Sequence, residues 1–218
     1  MTLPRSQTLV IFDCDGVLVD SERLSHEVLC EMLAELGVTI RFDAAVLRFM
    51  GTSMPVCMAR IAELLRAPLP DDFMQAFAQR THAAFAAGLQ RVPGVTEVLD
   101  ALRTPYCVAS NGTHAKVNFT LGHTGLLPRF AGRIFTADDV PHPKPAPDLF
   151  LHAARSLGAA PQHTTVVEDT PTGITAAKAA GMRAIGYAAM TPAGRLRSAG
   201  ADAVAATMAE VKALLAAT

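Results

Sequence analysis

The chain has 218 residues, with 19 lysines and arginines against 20 aspartates and glutamates, so its formal charge is −1. A chain of this length buries about 70% of the surface its unfolded form exposes and folds without a staple, as one large domain or two small ones. Near-neutral charge gives no basis for holding a nucleic-acid backbone. No run approaches about 18 apolar residues, and the opening MTLPRSQ lacks the apolar core of a secretory signal, so the chain reads as a soluble, cytoplasmic protein. The four cysteines, Cys14, Cys30, Cys57 and Cys107, show no C-x-x-C spacing and read as reduced thiols.

In chain order, residues 8 to 13 predict a first strand. Leu9, Val10, Ile11 and Phe12 are apolar without alternation, the pattern of a strand buried on both faces. Helical spacing follows from Ser21 to Leu36, with Gly37 as its stop. A second helix opens near Ser53 and Pro55 and runs through Ile61, Leu64 and Leu65. A third opens at PDDF and carries Phe73, Phe77 and Phe85. Residues 20–88 contain no convincing strand and read as an all-helical insert. Beyond RVPG, strands are predicted at 106–109, 134–136, 165–167, 183–186 and, weakly, 201–204, with helices at 95–102, 113–124, 147–157, 171–180 and 208–217. Such alternation predicts an α/β fold, a doubly wound parallel sheet that includes the first strand. The insert then hangs over that strand's carboxyl end. The domains read as 1–19 with 89–218 for the sheet and 20–88 for a small helical cap.

Four polar clusters end the predicted strands. Asp13 and Asp15 follow the first; side chains two apart in extended chain point the same way, so both carboxylates can face one site, where they need a cation or a shared proton. Ser110, Asn111 and Gly112 follow the second and can donate several hydrogen bonds to an anion, although alone they are an ordinary turn. Lys144 lies between prolines just before a helix, where a lysine is also commonly solvated. Glu168 and Asp169 follow a buried strand and could merely cap the next helix. In a parallel sheet all four clusters lie on one rim, the usual place for a ligand.

The motifs DCDGVLVDSE, SNG, KPAPDLF and VEDTPTGI stand in the order of the haloacid dehalogenase superfamily, and the chain resembles its subgroup with a helical cap after the first motif, which includes β-phosphoglucomutases and sugar-phosphate phosphatases. The resemblance implies a Rossmann-like sheet and a magnesium-dependent phosphatase working through an aspartyl phosphate. It implies Asp13 as nucleophile and Asp15 as general acid and base. Mg2+ would be held by the Asp13 carboxylate, the Asp15 main-chain carbonyl and Asp169, with Glu168 nearby. Ser110, Asn111 and Lys144 would bind the phosphoryl group, Lys144 also balancing Asp13, and Gly16 would let the backbone turn tightly beside the phosphate. The cap loop Gly51, Thr52 and Ser53 would face the substrate.

Alternatives differ in what they require. An EF-hand loop fails because glycine stands at the fourth position of the loop, counted from Asp13 as the first, not at the sixth. A dehalogenase would lack the second aspartate, and a non-catalytic binding module would lack one of the catalytic groups. A phosphosugar mutase would carry a cap arginine where Met54 stands, with Arg48 or Arg60 as candidate substitutes. The cap loop resembles that of 6-phosphogluconate phosphatase-like enzymes, which favours hydrolysis of a small, sugar-derived phosphate ester by a monomer. The seven histidines show no metal-ligand spacing and read as structural or solvated. Asp20 and Ser21, at the entry to the insert, read as substrate contacts or as caps of the following helix. The linkers at 17–22 and 88–94 would flex as the cap opens.

Overall fold

A computed structural model describes residues 7–52 and 54–217. The sheet has six parallel strands in the order β3-β2-β1-β4-β5-β6. They are β1 (Gln7–Phe12), β2 (Tyr106–Ser110), β3 (Ile134–Thr136), β4 (Ala159–Glu168), β5 (Arg183–Tyr187) and β6 (Ala203–Ala205). The apolar run of β1 is accounted for by its two faces. Val10 and Phe12 join one hydrophobic cluster, Leu9 and Ile11 the other, and Val167 and Val166 of β4 divide in the same way. Helices cover both sheet faces: α5 (Val95–Ala101), α6 (His114–His123), α7 (Asp148–Ser156), α8 (Pro171–Ala179), α9 (Ala193–Ser198) and α10 (Met208–Ala216).

Between β1 and α5 come α1 (Ser21–Glu35), α2 (Phe42–Phe49), α3 (Met54–Leu65) and α4 (Phe73–Gly88). These share an apolar cluster of their own, built on Leu29, Leu33, Phe49, Ile61 and Phe73. The two stretches leading into and out of this unit pair side by side: Asp20 N–H donates to Gln90 O at 2.9 Å and Val92 N–H to Leu18 O at 3.0 Å.

Three departures from the sequence reading have physical causes. Helix α2 was not anticipated; it has eight residues and buries only Ala45, Val46 and Phe49, of which the alanine carries a weak apolar signal. Helix α9 has six residues and buries only Leu196, too little for periodicity to register. Strand β4 starts at Ala159 rather than at 165, because its first half pairs through an irregular register, Gln7 with Ala159 and then Leu9 with Thr164, and carries Pro161, Gln162 and His163 instead of an apolar run.

The chain runs outward from β1 through β2 to β3, then returns to β1's other side for β4, β5 and β6. The order therefore reverses at β1, the point where open α/β sheets form their crevice. Register makes the rim level there: Phe12 pairs with Val108 of β2 and Val167 of β4. The residues just beyond those pairs emerge together.

Candidate active site

Asp13 is the first residue past β1, and its N–H still donates to Val167 O at 2.9 Å, so its carboxylate leaves the sheet beside Glu168 and Asp169. Lys144 arrives from the loop between β3 and α7. Its ammonium donates to Asp13 Oδ1 at 2.6 Å, to Glu168 Oε1 at 2.8 Å and to Ala109 O at 2.8 Å, and lies 4.7 Å from the centre of the Phe150 ring. Three donors meet three acceptors, and the lysine side chain is 3% exposed, which rules out a solvated lysine. Burial opposes its charge, yet Asp13 and Glu168 outweigh that and hold its pKa above the usual lysine value. Burial lifts the Asp13 carboxyl to about 7 against the pull of Lys144.

Glu168 is held on both oxygens. Oε1 faces Lys144, and Oε2 accepts from the N–H and the hydroxyl of Thr170, each at 2.9 Å. The cap of α8 is Thr170, whose Oγ1 accepts from Gly173 N–H at 3.0 Å, so the acid pair does not cap that helix as one sequence reading allowed. Gly173 is required here because a Cβ would lie 1.8 Å from Glu168 Oε1. Gly16 is required for two reasons: its φ is +73°, and a Cβ would lie 2.1 Å from Asp169 Oδ2.

Asp169 is buried, and neither of its carboxylate oxygens has a hydrogen-bond partner. Burial and then the neighbouring Glu168 push its pKa well up. A buried carboxylate with neither oxygen bonded needs a cation or a proton. Asp13, Glu168 and Asp169 can each bring an oxygen within 4.8 Å of the others, the one such cluster found among the described residues. An all-oxygen donor set suits a hard divalent ion such as magnesium. The residues therefore fit the metal that the sequence resemblance implies.

Asp15 lies on the outer side of this cluster. Ser21 Oγ donates to its Oδ1 at 2.6 Å and Lys116 Nζ to its Oδ2 at 2.7 Å. Burial alone would raise the Asp15 pKa; Lys116 and then Ser21 carry it below the usual carboxylate value. Ser21 thus contacts Asp15 rather than capping α1, and Asp20, at the cap position, instead pairs with Arg23 Nε at 2.8 Å. Neither Lys116 nor the half-buried Glu22, which loss of solvent lifts to about 7, was anticipated. Lys116 did leave a signal in its position, a cation in the first turn of α6, where the helix dipole disfavours positive charge.

Ser110 Oγ accepts from Gly112 N–H at 3.0 Å, which leaves its proton to donate. Asn111 was expected to bind phosphate through its amide. Its Oδ1 instead accepts from Lys144 N–H and its Nδ2 donates to Lys144 O, both at 3.0 Å, so the side chain braces the lysine loop. Of the cap loop, Gly51 packs on the start of α8, where Thr172 Oγ1 donates to Gly51 O at 3.4 Å. The Thr52 hydroxyl turns inward to Phe49 O at 2.6 Å, and Ser53 lies outside the described residues. Arg60 donates to Arg48 O, and Arg48 pairs with Glu63 at 3.3 Å, so both arginines tie cap helices together. A cavity of about 90 Å³, lined by Gly16, Asp20, Met50, Asp169 and Tyr187 among others, separates the cap loop from the sheet rim.

A doubly wound sheet whose rim gathers acids, an ammonium and a hydroxyl around a buried carboxylate without a hydrogen-bond partner is the framework of a hydrolytic enzyme. The chain belongs to the haloacid dehalogenase-like hydrolase family, whose pattern it matches over residues 7–181. It is 29% identical over 185 residues to 6-phosphogluconate phosphatase of Escherichia coli K12, covering 83% of this chain and 82% of that one. A haloacid dehalogenase-like protein of unknown function from Agrobacterium tumefaciens superposes with a TM-score of 0.91 at 35% identity, over 97% of this chain and 98% of that one. A putative β-phosphoglucomutase from Thermotoga maritima superposes at 0.79 with 26% identity, over 97% and 100% of the two chains.

Proposed function

We propose that the protein is a magnesium-dependent phosphatase that hydrolyses a small, sugar-derived phosphate monoester through an aspartyl phosphate on Asp13. The observation that carries this reading is the unpartnered, buried Asp169 carboxylate beside an Asp13 already paired with Lys144. A phosphate monoester resists attack because its anionic oxygens repel a nucleophile, so positive charge has to be arranged around it. When bound to Asp13, Asp169 and the Asp15 carbonyl, with Glu168 beside them, magnesium supplies that charge and orients the ester.

The chain's own groups do the rest. An Asp13 oxygen attacks phosphorus in line with the ester oxygen, which departs with a proton from Asp15. Ser110 donates its hydroxyl to the transferring group, and Lys144 opposes the effect of burial on Asp13 and fixes its carboxylate while Asn111 holds the lysine loop. Asp15 then takes a proton from the water that hydrolyses the intermediate. The cap, residues 20–88, closes on the core, residues 1–19 and 89–218, through the paired linkers at 17–22 and 88–94, and excludes bulk water. A small-angle scattering profile unchanged by vanadate plus magnesium would argue against that closure.

Hydrolysis is favoured over phosphoryl return to a sugar because Met54 stands where a mutase would present an arginine, and that residue is 46% exposed at the start of α3. Arg48 and Arg60, the candidate substitutes, are engaged inside the cap. The likeness to 6-phosphogluconate phosphatase supports a sugar-derived substrate. The test is a magnesium-dependent phosphate-release screen over sugar phosphates, nucleotides and phosphoglycolate, run beside Asp13→Asn, with an arm for glucose 1-phosphate and its bisphosphate. Release that needs both magnesium and Asp13 supports the reading. Isomerisation outpacing release makes the protein a mutase. No turnover of any ester favours a binding module.

A further inference from the structure

The site holds two ammonium groups in different situations. Lys144 has all three donors engaged by Asp13, Glu168 and Ala109. Lys116 donates to Asp15 Oδ2 at 2.7 Å, and its side chain is 43% exposed against 16% for Asp15. Its placement is costly in two ways. It is the third residue of α6, within the turn whose free N–H groups repel a cation, and its stem crosses the Ser110–Gly112 turn, where a Cβ on Gly112 would lie 3.3 Å from Lys116 Cδ. A lysine so placed is held there by the carboxylate it meets.

Asp15 has one oxygen on Lys116 and the other on the Ser21 hydroxyl at 2.6 Å. Both contacts are donors, one from α6 and one from α1, so the carboxylate cannot rotate without losing one of them. Each oxygen still keeps a lone pair free, because a carboxylate oxygen accepts two hydrogen bonds. This arrangement holds the ionised form of Asp15, the form that receives a proton in the second half of the reaction.

We propose that Lys116 is a positioning residue for the second half of the reaction: with Ser21 it fixes the Asp15 carboxylate so that a free lone pair faces the water that hydrolyses the aspartyl phosphate. The proposal rests on the phosphatase reading above. In that step the water oxygen bonds to phosphorus, the bond from phosphorus to the Asp13 oxygen breaks, Asp13 leaves as a carboxylate, and one water proton passes to Asp15 as phosphate departs.

The test uses the full chain with magnesium and p-nitrophenyl phosphate in a stopped-flow instrument. p-Nitrophenolate leaves without a proton, so formation of the intermediate is insensitive to Asp15 and its hydrolysis is not. Lys116→Met is expected to keep the fast release of p-nitrophenolate, now visible as a burst approaching one equivalent per enzyme, while the steady rate falls about 10- to 100-fold. Lys116→Arg should recover part of the steady rate, and Lys116→Gln should repeat the methionine result if methionine disturbs folding. An equal slowing of both phases, or wild-type behaviour in both, overturns the assignment. Absence of any release by the wild-type chain, or equal release by Asp13→Asn, instead refutes the phosphatase reading and the assignment with it.

Discussion

Lys144 Nζ lies 2.6 Å from Asp13 Oδ1 although the two residues are 131 positions apart in the chain. Parallel topology achieves this. β1 ends at Phe12, its neighbour β2 runs two residues past the partner of Phe12 to Ser110, and the loop after β3 turns back across that rim. The pair is also buried, so neither charge is matched by solvent.

Removing one member of such a pair leaves an uncompensated buried charge, which typically costs about 3–5 kcal/mol. Lys144→Met strands both Asp13 and Glu168, and it is expected to lower the unfolding free energy by about 3 kcal/mol or more and to abolish turnover. Urea denaturation with and without magnesium measures this. A variant as stable as the parent would mean that the pair is not formed in solution.

Gly173→Ala reverses the usual sign of its substitution. In an open helix interior this change stabilises by about 1 kcal/mol. Here the new methyl would fall 1.8 Å from Glu168 Oε1, forcing that side chain away from Lys144 and Thr170. A loss of about 1–3 kcal/mol is expected, together with weaker magnesium binding by titration calorimetry. A stabilised variant would contradict the placement of Glu168.

The metal-free protein should respond to pH in an unusual direction. Asp13 and Glu22, ordinarily at 3.8 and 4.5, are lifted by burial to about 7, and Asp169 also lies well above 3.8. The native state therefore keeps protons that the unfolded chain has already lost, so stability falls as pH rises from about 4 through about 7. Asp15 works the other way, but its contribution is lost only as pH falls below the ordinary carboxylate range. Magnesium competes with the retained protons, and the melting temperature should gain more from it at pH 8 than at pH 5. Thermal scans with magnesium and with a chelator measure both trends. An equal gain at the two values would contradict the account.

Much of this was legible in the sequence for a physical reason. A strand buried on both faces must be apolar throughout, so the first polar residues after it mark the rim; Asp13, Ser110 and Glu168 were found in that way. Lys144 was placed by the prolines around it and by the helix that follows. Lys116 and Glu22 were not found, because each sits inside a helix where a charged residue is ordinarily a solvated one, and only the contact across elements separates them from that class. Asn111 was assigned to phosphate because an amide at a strand end can serve an anion or a neighbouring backbone equally well, and the choice depends on how the Lys144 loop folds back. The missed helices α2 and α9 are short and alanine-rich or barely buried, so their sequences carry little periodicity.

The claim on which the account depends is that phosphate is transferred to Asp13 before it reaches water. Rapid acid quenching of a single turnover with a phosphate-labelled sugar ester and magnesium tests it directly. The account predicts a transient, alkali-labile label on the protein that maps to the peptide containing Asp13, decays as phosphate appears, and is absent from Asp13→Asn. Phosphate released at full rate with no label ever bound to the chain would contradict it.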